Sequence, residues 1–477
     1  MGNKEEWGFV SMSNRRWKAT PLRQKPATCH WHRLLLVAVF YGIFLLGVLG
    51  SLRLRPANDD YWIIAEAFSG IPSSLEFWWQ NWSGFATTFS LNVLVVGLPG
   101  THLPWALVSS APFIITSLSV GTVLALLLGW STGWFGWRHA FALAPLGAVI
   151  WWSFLWGTTL VGPAPPLVLG LTHWQNLNAA YVLPLSLLVV GYVWVLFLGR
   201  PARSWQRIMF VLVLGLATGL AHLVVSMTIL VTIGIVTAVR LLTRSGRGDR
   251  SSMLLAAYTV LAILVGQFIA LTAPGSRARR GAIAPEAPSS IEFAITSVGR
   301  IITQTVTDVS VLVLSLGTAL VVVAAGILGF GWADSRTPAS FGRLRALFGL
   351  GLLVSITASL VTNTLEVFVG FGYWHRSALA VAVFFTAGLG GAYAGAWMKV
   401  RYVTNSARPL AALTVVVVLM TLGSTANMFE SALSRQSDWE AGPAPLAGVF
   451  DDINGPQPWI TRNWQIIVDS RDAPRRD

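Results

Sequence analysis

Residues 34–54 read Leu-Leu-Leu-Val-Ala-Val-Phe-Tyr-Gly-Ile-Phe-Leu-Leu-Gly-Val-Leu-Gly-Ser-Leu-Arg-Leu, and residues 55–62 follow at once with Arg-Pro-Ala-Asn-Asp-Asp-Tyr-Trp. No charged side chain interrupts the run from Leu34 to Leu52. About 20 such residues cross the hydrocarbon core of a bilayer as a helix. A lipid-embedded chain must be helical or a closed barrel, because each backbone N–H and C=O needs an internal partner there. The junction therefore predicts a transmembrane helix whose far end delivers two adjacent carboxylates, Asp59 and Asp60, to one membrane surface.

The same apolar pattern recurs outward along the chain. Eleven spans are predicted, roughly at 34–54, 103–130, 140–160, 179–199, 208–222, 223–243, 252–272, 309–331, 346–366, 376–396 and 409–428. The fifth and sixth share one apolar run, broken only around His222. Composition agrees: 54% of the 477 residues are hydrophobic and 11% charged, against about 25% charged in a soluble globular chain. The expected fold class is all-α, a polytopic membrane protein of about eleven transmembrane helices. Cys29 is the single cysteine, so no internal disulfide can form. No cleavable signal is expected before the first span.

Orientation follows from lysine and arginine. With the N-terminus cytoplasmic, the inner side holds 21 of the 33 basic residues and 4 of the 20 acidic ones. The outer side then holds 12 basic and 16 acidic residues, a strong positive-inside bias. The net charge of +13 is thus topogenic, and no nucleic-acid partner is expected. The chain divides into a basic cytoplasmic segment, 1–33, a transmembrane domain, 34–428, and an extracytoplasmic tail, 429–477. Localisation in the cell inner (plasma) membrane is expected. Outer loops at 55–102 and 273–308 are too long for turns. No GxxxxGK[ST] phosphate loop is present, which argues against an ATP-driven pump.

The outer segments carry the candidate chemistry. A carboxylate such as Asp59 or Asp60 can deprotonate a hydroxyl, or hold a cation that does so; a hydrated Asn-Asp turn is the alternative. Residues 61–90 are amphipathic and rich in tryptophan, which suits interfacial helices. Trp78, Trp79 and Trp82 could form an aromatic belt or line a sugar or prenyl groove. His173 and Asn176, in His-Trp-Gln-Asn-Leu-Asn, could anchor a polar ligand, as could His222 and His375. After Ala273-Pro274-Gly275-Ser276, Arg277, Arg279 and Arg280 defy the inside-positive trend, and Arg376 does so again. A Pro-Gly turn would cluster the first three guanidinium groups, whose forks suit phosphate; anionic lipid headgroups are the competing partner. Glu366 lies one helical turn from Asn363 near the outer end of the ninth span. Gly215 and Gly219 have the spacing of close helix packing. The tail is either a small cap over the outer face or a free end.

Taken in order, Asn58-Asp59-Asp60-Tyr61-Trp62, Trp82-Ser83-Gly84, His173 to Asn178, Pro274-Gly275 with its arginines, and Arg376 resemble the GT-C superfamily of integral-membrane glycosyltransferases. The set is most similar to a bacterial family akin to O-antigen glucosyltransferases. That resemblance implies a GT-C-like fold and transfer of a sugar from a polyprenyl-phosphate donor to an envelope glycan or lipid acceptor, within surrounding membrane lipids. It implies Asp59 or Asp60 as the group activating the acceptor. Arg376, Arg277, Arg279 and Arg280 would hold the lipid phosphate, with His173, Asn176, His222, Trp82, Glu366 and His375 lining the substrate site. Some relatives use a divalent cation, Mg2+ or Mn2+, at the acidic motif and others none. Two positions depart from the pattern: Phe85 stands where relatives tend to have an arginine after Trp-Ser-Gly, and Leu223 where an acid tends to follow the histidine. The rival is a transporter or lipid flippase of envelope precursors that makes no bond and uses Glu366, Arg376 and His222 as a polar relay.

Overall fold

The computed structural model describes residues 31–56, 59–132, 137–156, 178–193, 204–242, 250–283 and 408–440, with short pieces within 298–303, 353–364 and 462–470. Among these residues every regular element is a helix. Helix α1 is Trp31–Ser51, followed by four short helices: α2 (Asp59–Ala67), α3 (Ile71–Asn81), α4 (Ala86–Asn92) and α5 (Leu98–His102). A π-helical turn, Val93–Gly97, joins α4 to α5. The long helices α6 (Trp105–Thr132) and α7 (Trp137–Trp156) come next. A second π turn, Asn178–Val182, leads into α8 (Leu183–Val193). Then come α9 (Ser204–Gly219), α10 (Leu223–Leu242), α11 (Arg250–Thr272), α12 (Pro274–Ile283) and α13 (Arg408–Glu440).

Two of these, over Trp105–Leu126 and Met253–Thr272, are long and apolar enough to cross a membrane. The apolar stretches Ala38–Ser51, Ala179–Tyr192, Trp205–Gly219 and Leu223–Ala238 are shorter. The expected spans at 309–331 and 376–396, and nearly all of 346–366, lie outside the described residues. On α11 the side chains of Leu254, Leu261 and Phe268 stand exposed, Phe268 at 70%. Water-facing surfaces seldom carry such a stripe, whereas lipid accepts it.

Small residues set the helix contacts and reveal their directions. A Cβ on Gly215 would lie 2.6 Å from Ala262 Cβ and 3.0 Å from Thr259 O, and one on Gly219 would strike Ile263 O and, at 2.7 Å, Gly266 Cα. The pairing advances together along both chains, so α9 and α11 are parallel and α10 returns between them. The apolar run at 208–243 is accordingly two helices, split at Leu220–His222. The Gly215/Gly219 pair serves close packing, as its spacing predicts. Trp152 donates its indole N–H to Ser117 Oγ at 2.8 Å, while Gly121 meets Ala144 and Ala148; α6 and α7 are antiparallel. Tyr41 donates to the Ala142 carbonyl and Gly47 lies under Trp152, making α1 parallel to α7. Gly50 faces the Phe429 ring and Arg53 donates to Gln436 Oε1 at 3.2 Å, making α13 parallel to α1 as well.

Two elements differ from expectation. Helix α13 runs 12 residues past the predicted end of its span at 428, because Met428 and Ala432 are buried on α13. The segment after Pro274 is a ten-residue helix rather than a turn. Proline suits a first helical position, where its missing N–H costs nothing, and Arg277 N–H bonds to Ala273 O at 3.2 Å.

Candidate functional site

The parallel directions bring the C-terminal ends of α1, α7, α9, α11 and α13 toward one end of the bundle, where the short helices α2 to α5 form a layer. Within that layer α2 is held by its core side. Tyr61, Ile63 and Ile64 are buried in one cluster with Trp78, Val93, Val96, Val108 and Ala179. Tyr61 also donates its hydroxyl to Pro56 O at 2.8 Å, tying α2 to the chain just before it. Asp59 begins α2 and Asp60 follows it, so both positions fall in the first turn, where the helix dipole favours negative charge. Asp60 is 0% exposed and is engaged by neighbouring groups.

Aromatic side chains occupy the other side of α2. The Trp62 ring lies 4.9 Å from Trp78 and 4.7 Å from Trp82, edge-on to the latter. Trp78 stacks on Phe89 at 4.8 Å and is buried, so it belongs to the core rather than to a groove. Trp79 and Trp82 keep partial exposure. Trp62 donates its indole N–H to Glu66 Oε1 at 3.3 Å. Burial raises the Glu66 carboxyl above its ordinary range, while the Trp62 bond and the charge of Arg462 pull it back down.

The two long loops meet at Trp82-Ser83-Gly84 and Ala273-Pro274-Gly275-Ser276. Gly84 N–H donates to Ser276 Oγ at 2.9 Å, and Ser276 passes the bond on to Ala270 O at 2.7 Å. A Cβ on Gly275 would lie 2.6 Å from both Ser83 N and Trp79 O. A Cβ on Gly84 would strike Ala270 O and Ala273. Only residues without a side chain allow these backbones to approach so closely. Helix α12 is thereby seated against the end of α3, with Arg277 exposed and positions 277 and 280 on one helix face.

His222 lies in the break between α9 and α10, directly beneath α4. Its own N–H donates to Thr88 Oγ1 at 2.9 Å, and Thr88 donates to Ala180 O at 3.3 Å. The imidazole is 6% exposed, with Nδ1 accepting the Val224 N–H at 3.4 Å and Nε2 3.3 Å from the Tyr181 hydroxyl. Phe85 stacks at a tilt on the same ring, 4.9 Å away. Phe85, Leu223 and Ala270 form one buried apolar cluster. Phe85 and Leu223, the two positions noted above, thus share this cluster beside the His222 ring.

No family model, curated protein or solved structure matches the chain.

Of the residues singled out in the sequence, Asp59, Asp60, Trp82, His222 and Arg277 lie in this one region, with the backbones of Arg279 and Arg280 on the same helix. His173, Asn176, Glu366, His375 and Arg376 lie outside the described residues. Among the described residues no group of three or more His, Cys, Asp or Glu is arranged to hold a metal ion. Sequence inspection missed Thr88, Tyr181, Glu66, Ser276 and Arg462. Their roles depend on partners between 4 and 396 positions away, and no local spacing announces them.

Proposed function

We propose that the protein is a membrane glycosyltransferase that moves a sugar from a polyprenyl-phosphate donor to an envelope glycan or lipid acceptor, at the end of the bundle bearing α2 and α12. The observation that carries this is the seating of the arginine-bearing helix α12 against the loop that opens with the acidic pair, through Gly84, Gly275 and Ser276. A transferase of this kind needs a carboxylate for the acceptor and cationic donors for the departing lipid phosphate. Asp59 or Asp60 takes the proton as the acceptor oxygen attacks the anomeric carbon and the bond to the phosphate oxygen breaks. Arg277, Arg279 and Arg280, with Arg376, stabilise the charge that grows on that phosphate. The full set of eleven spans, the inner-membrane location and the cytoplasmic N-terminus belong to the same proposal. A divalent cation at the acidic pair would serve the same step as the base.

The transporter alternative needs polar groups left over inside the bundle. Inside the bundle, Gln267 Nε2 donates to Gly219 O at 2.8 Å, to Ala221 O at 3.2 Å and to Ser226 Oγ at 2.6 Å. Ser226 in turn donates to Thr218 O at 2.6 Å. These donors are spent on carbonyls freed by the break between α9 and α10, while the buried Gln267 Oε1, Ser109 Oγ and Thr116 Oγ1 have no hydrogen-bond partner among the described residues, which keeps the transporter as the second reading.

The test is transfer from a purified lipid-linked sugar in detergent. Asp59→Asn and Asp60→Asn keep size while removing a base or cation ligand. At least one should lower kcat by about 10²–10⁴-fold, the usual effect of losing a general base. Unaltered transfer by both variants refutes the assignment.

A further inference from the structure

The first-loop site is completed by a piece of chain that nothing above assigns to it. Residues 462–470 contain helical segments, and Ile467 is 0% exposed within the same buried cluster as Tyr61, Ile63, Ile64 and Trp78. Arg462, itself exposed, places its charge where it acts on Glu66 of α2. Gln465 donates to Asp469 Oδ1 at 2.8 Å, one helical turn on, so this segment has its own local order. Helix α13 reaches the same region, since its Gln436 accepts a hydrogen bond from Arg53, six residues before Asp59.

We propose that segment 462–470 is a clasp on α2, and that Arg462 is a positioning residue acting through Glu66. The chain of contacts is explicit. Arg462 offsets the charge of the half-buried Glu66 carboxylate. Glu66 accepts the Trp62 indole N–H, and Trp62 is thereby fixed against Trp82. Ile467 supplies the apolar half of the hold, packing where α2, α3 and α6 meet. The two ends of α2 are thus secured differently: the Asp59/Asp60 end by Tyr61 and Pro56, the Glu66 end by the clasp. A tail used as a free end would have no reason to bury an isoleucine completely in the cluster that holds α2. The inference is independent of the transferase reading, since its measurements are conformational.

Hydrogen exchange of the full-length protein in detergent tests it, followed by mass spectrometry over 59–67 and 462–470. Arg462→Ala should reduce protection of both segments together, by up to about fivefold, the upper end for an exposed charge acting on a half-buried carboxylate. Arg462→Lys keeps the charge and should retain most of it. The decisive readout is the double-mutant cycle: in the Glu66→Gln background, Arg462→Ala should change nothing further, because the charge it answers is gone. Ile467→Ser should release 462–470 and loosen 59–67 while leaving α11 protected, which separates loss of the clasp from loss of the fold. Protection of 59–67 that is indifferent to both Arg462→Ala and Ile467→Ser overturns the proposal. So does an equal effect of Arg462→Ala in the parent and Glu66→Gln backgrounds.

Discussion

Single residues decide whether the two long loops can meet at all. Gly84 has Ala270 O and Ala273 where a side chain would stand, and its N–H is held by the buried Ser276 hydroxyl. Gly84→Ala must therefore push α11 and α12 away from α3, at a cost of about 1–3 kcal/mol, typical of overpacking. Ser276→Ala removes a hydroxyl that serves both Gly84 N–H and Ala270 O, and the stranded buried amide should cost about 1–3 kcal/mol. Because the two changes break one contact, their effects should fall short of additive. Thermal unfolding in detergent of both single variants and the double measures this. Full additivity would mean that the glycine and the serine stabilise separate features. Little of this was legible in the sequence. Trp82-Ser83-Gly84 and Pro274-Gly275 are visible as short patterns, but 192 positions separate Gly84 from Ser276, and neither pattern names its partner.

At the level of elements, hydropathy located the helices it could see. α1, α6, α7, α9, α10, α11 and α13 all overlap the expected apolar stretches as helices, and two of them, α6 and α11, hold stretches long and apolar enough to cross a membrane. The pattern fails where composition and conformation part company. Pro-Gly followed by three arginines reads as a loop, yet Pro274–Ile283 is a helix, its proline at the first position and its small residues facing α3. The tail of α13 past 428 is polar in composition and is kept helical by its buried face. The helical form of α12 sharpens the expectation for its arginines, since a helix fixes spacing that a turn would not. If they hold a leaving phosphate, Arg277→Ala or Arg280→Ala should lower kcat by about 10²-fold with little change in donor KM, as for loss of one donor to a developing anion. The lysine variants should recover only part of the rate, because a point charge lacks the guanidinium fork. A rise in KM at constant kcat would instead make the arginines a ground-state contact to lipid headgroups.

At the scale of the whole molecule, helix direction and charge bias are independent statements about topology, and they can be tested apart. Directions come from packing: α1, α7 and α13 run one way, and α9 and α11 run parallel to each other. Both groups end beside α2 to α4, through Gly50 and Phe429 on one side and Thr87 N–H to Leu220 O at 3.0 Å on the other. Gln80 and Ala278, both exposed near that end, must then share a side of the membrane, whichever side it is. Arg207 lies near the start of α9, about 20 Å away at 1.5 Å per residue, and must sit on the opposite side. On the proposed eleven-span topology, charge bias then says which is which, because 21 of the 33 basic residues would fall on the side of Arg207. Single cysteines at these three positions in a Cys29→Ser background give a two-step readout with an impermeant thiol reagent on intact cells. Gln80→Cys and Ala278→Cys should label, and Arg207→Cys should label only after permeabilisation. If Gln80→Cys and Ala278→Cys differ, the packing of α12 against α3 is wrong, and the proposed site goes with it. If the two agree but only Arg207→Cys labels from outside, the bundle stands while its orientation is inverted. A lipid-linked donor would then have to be used on the cytoplasmic face, beside the nucleotide sugars that the proposed outward-facing site would do without.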